Sequence, residues 1–140
     1  MSCQESFFRE LRERGLRLTP QRELVLSVLH EMEGLAGAEE IYRRVQALST
    51  AVDISTVYRT LDLLQEFGVV AVVDGADGQR RYELTAGRTP HVHLVCSRCG
   101  AVISADQAPV RGLADTLRAA YGFELDLKRI SLSGLCPACR

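Results

Sequence analysis

The chain has 140 residues, 46% of them hydrophobic, and a net charge of −1, which predicts one soluble domain or two small ones. The N-terminus is polar with no apolar signal run, and no stretch approaches the roughly 18 apolar residues of a membrane span, so a cytoplasmic protein with no membrane partner is expected. Residues 1–90 carry 11 arginines against 14 acidic residues, so charge alone does not announce a nucleic-acid binder, and any DNA contact must come from a local face.

Helical patterning dominates the first half. Phe7, Phe8 and Leu11 form a short apolar stripe that stops at Gly15. Thr19-Pro20 is a start signal, because threonine can cap a helix and proline suits its first position. Leu24, Val25, Val28, Leu29 and Met32 then keep helical spacing up to Gly34. A third helix carries Ile41, Tyr42, Val45 and Leu48. A fourth begins near Ser55, turns Val57, Leu61 and Leu64 inward, and stops at Gly68. The period then changes. Val69, Val70, Val72 and Val73 read as a strand, residues 74–78 as a Gly-rich turn, and Arg80 to Thr85 as the returning strand. Helix, turn, helix and hairpin in that order predict a winged helix-turn-helix over residues 1–85.

Residues 86–90 read as a linker. The remainder, 91–140, reads as β-β-α-β: strands at His91–Val95 and Ala101–Ser104, a helix with Pro109 in its first turn, and an alternating strand over 123–135. In that helix Val110, Leu113, Leu117 and Tyr121 share a face. In the last strand the phase slips between Lys128 and Arg129, which predicts a bulge or bend. About 50 residues make a small independent core, so this half calls for a metal, a partner subunit or both. The expected fold class is α/β (α+β).

Two pairs with identical spacing, Cys96-Ser-Arg-Cys99 and Cys136-Pro-Ala-Cys139, supply the strongest chemical signal. Two intervening residues let both thiolates reach one tetrahedral ion, and two such knuckles predict a closed four-cysteine site holding structural Zn2+. Such an ion can supply on the order of 10 kcal/mol to folding. The competing reading, a redox Cys-Pro-Ala-Cys in a zinc-containing thiol redox protein, needs a reactive Cys136 at an accessible helix N-terminus. A closed site leaves no position for a catalytic water, and no catalytic triad or phosphate loop is evident, so an enzyme is not expected. Cys3 is left over.

His91 and His93 alternate on one strand face, about 7 Å apart along the chain. With Glu83 from the hairpin they could hold a regulatory divalent metal, Fe2+ or Zn2+. An ion shared across the linker would set the angle between the two halves. DNA contacts are expected from the start of the fourth helix, at Ser55, Thr56, Tyr58 and Arg59. Arg80 and Arg81 in the wing and Arg17 before the second helix complete the set. Asp62 and Glu66 would repel a DNA backbone, so the far end of the fourth helix should point away.

In order along the chain stand Arg17-Leu-Thr-Pro-Gln-Arg22, Ala38-Glu-Glu-Ile-Tyr42, Ser55-Thr-Val-Tyr-Arg59, Tyr82-Glu-Leu84, His91-Val-His-Leu-Val-Cys96-Ser-Arg-Cys99-Gly100 and Cys136-Pro-Ala-Cys139. Together they resemble the ferric uptake regulator family of metal-responsive repressors, from about residue 5 to 140. The resemblance implies a homodimer joined through a C-terminal α/β dimerisation domain. It also implies metal-dependent binding to double-stranded DNA at a palindromic AT-rich operator. It assigns the four cysteines to structural zinc, Glu83, His91 and His93 to the regulatory metal, Tyr58 and Arg59 to the recognition helix, and Arg17 to the minor groove. The implied function is repression of metal uptake or homeostasis genes with iron or zinc as co-repressor. A peroxide-sensing repressor of the same family is the alternative. The chain departs from the family pattern at Leu35, where many members carry histidine, at Val92 and Ser104, where acidic residues are common, and at Lys128, often a histidine. Asp106, Cys3 or water remain as sources of a fourth regulatory ligand.

Overall fold

A computed structural model describes residues 3–75, 77–85, 91–127 and 130–140. The linker expected at 86–90 and the phase slip at 128–129 lie outside these residues, as does the side chain of Cys3.

Four helices come first: α1 (Cys3–Glu13), α2 (Pro20–Glu31), α3 (Ala38–Leu48) and α4 (Ile54–Glu66), with the short strand β1 (Ala36–Gly37) between α2 and α3. Thr19 caps α2 by accepting the Arg22 amide at 3.3 Å, with Pro20 in the first turn. Asp53 caps α4 in the same way, accepting from the Thr56 amide at 2.8 Å. Both caps satisfy amides that a helix start leaves open. The predicted stripes meet in one core, where Leu11, Val25, Leu29, Ile41, Val45, Val57, Leu61 and Leu64 are all buried, while Leu48 at the end of α3 is exposed instead. Leu61 is fully enclosed. Leu61→Ala should lower unfolding free energy by about 2–5 kcal/mol, because the rigid neighbours cannot collapse into the space; urea melts of the metal-loaded protein would measure it.

The hairpin follows as β2 (Val70–Asp74) and β3 (Arg80–Leu84). They pair antiparallel from Val70 with Leu84 to Asp74 with Arg80, and β1 adds to the other edge of β3 by pairing Ala36 with Tyr82 and Gly37 with Arg81. Tyr82 and Leu84 face the helices and are buried. Arg81 and Glu83 therefore face the opposite side.

The second sheet holds β4 (His91–Cys96), β5 (Val102–Asp106) and β6 (Ser131–Gly134) in the order β5-β4-β6, with α5 (Ala108–Tyr121) between the last two in sequence. β5 runs antiparallel and β6 parallel to β4. Gly122 ends α5 in the left-handed conformation at φ 63°, which glycine adopts without steric cost. The alternating stretch from 123 is not a strand at its start: Phe123 to Asp126 are irregular, and among the described residues ladder pairing runs from Ser131 to Gly134. Alternation marks residues able to line a strand, and pairing starts where β4 offers a partner. Of the apolar face on α5 only Val110 is buried, while Leu113 is 42% and Tyr121 80% exposed. No described helix is long and apolar enough to cross a membrane.

Candidate metal centre and nucleic-acid interface

Parallel pairing explains how two distant knuckles meet. Cys96 is the register partner of Gly134, so Cys136 emerges two residues beyond that pair at the same end of the sheet. The Ser97 amide donates to the Gly134 carbonyl at 2.9 Å, and Arg98 Nη1 to the Cys139 carbonyl at 2.7 Å. Gly100, at φ 77°, closes the first knuckle by donating to the Cys96 carbonyl. The four sulfurs lie within 4.8 Å of one another, and Cys99 Sγ is 3.7 Å from Cys136 Sγ. Sulfurs at about 2.3 Å from a tetrahedral zinc would sit about 3.8 Å apart, so the donor set fits that ion in type, number and spacing. Amides of Cys99, Cys136 and Arg98 draw the Cys96 thiol down to about 5, favouring the thiolate that a metal needs. The thiols of Cys136 and Cys99 beside it push Cys139 up to about 12. Like groups this close resist joint ionisation until a cation joins them.

The second cluster joins the two sheets. Glu83 comes from β3, His91 and His93 from β4. His93 Nε2 lies 2.7 Å and His91 Nε2 3.0 Å from Glu83 Oε2, and the two imidazole nitrogens are 3.2 Å apart. Three donors thus converge on one point. Around a tetrahedral ion with bonds near 2.1 Å they would sit about 3.4 Å apart, so a small outward movement suffices to admit one. Glu83 and His93 are buried, and His91 is half-buried. The hydrogen bond to His93, seconded by that to His91, holds the Glu83 carboxyl below its ordinary value against the opposing pull of burial. Its contribution to the metal-free fold is complete above the ordinary carboxylate pKa and is lost as pH falls through the depressed one. Among the described residues no other carboxylate, thiol or imidazole belongs to this cluster. Asp106 is the register partner of His91 and Ser104 that of His93. The Asp106 carboxylate is turned to the Ala108 amide at 2.7 Å instead. Leu35 is an apolar, half-buried side chain with no donor atom.

Ser55, Tyr58 and Arg59 are exposed on the first turns of α4, with Thr56 half-buried. Arg59 Nη2 donates to Thr56 Oγ1 at 3.5 Å. Arg17 is exposed in the loop before α2, whose course is held by Arg22 Nη1 donating to the Arg17 carbonyl at 2.7 Å. Arg80 and Arg81, read as equivalents in the sequence, are placed differently. Both line a cleft of about 440 Å3 with Tyr58 and Tyr82, but Arg80 Nε is 3.0 Å from Asp74 Oδ1. Arg81 turns over the hairpin tip, with Nη2 2.8 Å and Nη1 3.5 Å from the Asp77 carboxylate. Asp74 and Tyr82 escaped the sequence reading as participants; the only available signal was the hairpin register, which sets Asp74 across from Arg80.

A winged-helix head beside a sheet that gathers two donor clusters defines a metal-responsive regulator rather than an enzyme. The chain belongs to the ferric uptake regulator family, whose family model matches residues 13–133. It is 36% identical over 123 residues to the ferric uptake regulation protein of Rhizobium leguminosarum bv. viciae, covering 88% of this chain and 86% of that one. Among solved structures it is similar to the Helicobacter pylori ferric uptake regulator, described as having three functional metal binding sites, with a TM-score of 0.72, 27% identity, and coverage of 96% and 89%. A zinc uptake regulator complexed with zinc and DNA aligns with a TM-score of 0.65 and 28% identity, covering 99% and 95%.

Proposed function

We propose that this chain is a homodimeric repressor that binds a palindromic AT-rich operator when Glu83, His91 and His93 hold a divalent ion, Fe2+ or Zn2+. The observation that carries the reading is the convergence of three donors from two sheets, at 2.7–3.2 Å from one another. One of them belongs to the wing of the DNA-reading head and two to the other sheet, so an ion ties residues 1–85 to residues 91–140. Cys96, Cys99, Cys136 and Cys139 hold a separate structural zinc. Arg17, Ser55, Thr56, Tyr58 and Arg59 form the DNA face with the wing. The outward apolar side chains of α5 and the segment after it, Leu113, Tyr121 and Phe123, support a second copy of the chain as their cover. A two-fold dimer then places two recognition helices in major grooves about 34 Å apart.

The zinc uptake regulator solved with zinc and DNA supports the DNA partner. The test is a titration of a labelled duplex from upstream of the protein's own gene, with zinc-replete protein and increasing Fe2+ under anaerobic conditions, or added Zn2+. Affinity should rise at least tenfold with one of these metals, a coupling of about 1.4 kcal/mol. Equal affinity with and without either metal would reject the switch.

A further inference from the structure

The two wing arginines are chemically alike and adjacent, yet their surroundings divide them. Along β3, Arg80 shares the helix-facing side with Tyr82, and Arg81 shares the other side with Glu83. Arg80 is held from one side only. Asp74, its cross-strand partner, takes Nε at 3.0 Å, the buried Tyr82 hydroxyl lies beside the guanidinium, and the side chain stays 54% exposed. A carboxylate on Nε fixes the plane of the guanidinium and leaves its outer edge for a second acceptor. Arg80 lines the cleft bounded by Tyr58 of α4 and the first turn of α3, as do Arg81 and Arg43. Glu39 and Glu40 also border the cleft, on a helix start whose open amides offset their charge.

Arg81 is held at the end of its fork instead. Both of its terminal nitrogens face the Asp77 carboxylate, and the side chain is 30% exposed. It crosses Gly75 so closely that a Cβ there would run into the guanidinium and the Asp77 carboxylate. The tip is folded around this pair, with the Gly75 amide donating to the Gln79 carbonyl at 2.8 Å and the Gln79 amide to Asp77 Oδ1 at 3.0 Å. A guanidinium whose terminal nitrogens share one carboxylate has its charge offset and its fork engaged, so it is the weaker of the two toward a phosphate.

We infer that Arg80 is the wing residue that takes a DNA backbone phosphate, with Asp74 and Tyr82 as positioning residues, and that Arg81 braces the wing tip and takes none. This rests on the DNA-binding reading proposed above. The test is the salt dependence of binding by metal-loaded, full-length protein to a labelled AT-rich palindromic duplex about three helical turns long. Each phosphate contact contributes about 0.9 to the slope of log K against log salt. Arg80→Ala should reduce the slope by about 1.8 for a dimer with two wings. Arg81→Ala should leave the slope unchanged and lower the melting temperature. Asp74→Ala gives a sign test. Removing a negative charge beside DNA tightens binding if Asp74 is only a surface charge, and weakens it several-fold if Asp74 orients Arg80. Arg80→Lys, which keeps the charge, should retain the slope and serves where the alanine variant folds poorly. An unchanged slope in Arg80→Ala, a reduced one in Arg81→Ala, or tighter binding by Asp74→Ala would overturn the division while leaving the DNA reading intact. Absence of salt-dependent binding by the wild type would reject that reading itself.

Discussion

His91→Ala should abolish metal-stimulated DNA binding while the protein stays folded, dimeric and loaded with its structural zinc. The reasoning is local. His91 supplies one of three converging donors, and its removal leaves a two-donor site open to water. Loss even of a group that merely orients a metal ligand costs 10–100-fold in affinity, so loss of the ligand itself should exceed about 100-fold. A switch moves only by the difference in metal affinity between its two states; without that difference the head keeps its metal-free posture. His91 is half-buried, so its truncation spares the core. His93→Ala should give the same loss, with some added instability, because the buried Glu83 carboxylate then keeps a single imidazole partner. The checks are calorimetric metal titration, size-exclusion chromatography and duplex binding on one preparation. Metal stimulation surviving in both variants would remove Glu83, His91 and His93 from the switch.

Cys136→Ser should be more damaging to the fold than any other single change in the second half. β6 has only four residues in the ladder, all exposed, and α5 buries only Val110 along its length. Little apolar burial is available to hold these pieces. The knuckles are stitched to each other by Ser97 and Arg98, and an ion on four thiolates would fasten them. The expected result is loss of one equivalent of zinc per chain and of the dimer. Near-native helicity should persist from α1 to α4, whose core lies among the helices and hairpin. Atomic absorption, sedimentation and hydrogen exchange resolved by segment would check each part. A fully folded zinc-free dimer would show that the knuckles are dispensable.

How far the residues foretold this differs by element. Helix α2 was legible from its Thr19-Pro20 start and apolar period, though it ends at Glu31 before Gly34, and α4 from its apolar period and Gly68, while its cap Asp53 went unread. The two Cys-x-x-Cys pairs were legible because metal chemistry constrains spacing tightly, and His-x-His because strand period puts alternate residues on one face. The meeting of Glu83 with His91 and His93 is a tertiary fact, hinted at by residue type and implied by family resemblance. β1 left no trace, since two residues carry no period and their pairing to Tyr82 and Arg81 is a contact between distant parts of the chain. The stripe on α5 showed that a face is apolar, and nothing local said that it would turn outward. The unequal roles of Arg80 and Arg81 needed hairpin register and the fold of the tip, neither of which composition encodes.

The parallel pairing of β4 with β6 has a consequence for biosynthesis. A nascent chain displays Cys96 and Cys99 before Cys136 and Cys139 exist. At roughly 5–20 residues per second of translation, the first pair waits about 2–7 s for its counterpart. For that interval it is a two-thiol half-site, able to capture a stray soft cation or to oxidise. Supply of a thiophilic metal ion at the ribosome and the reducing power around it therefore bear on the yield of folded protein, independently of any ion held by Glu83, His91 and His93.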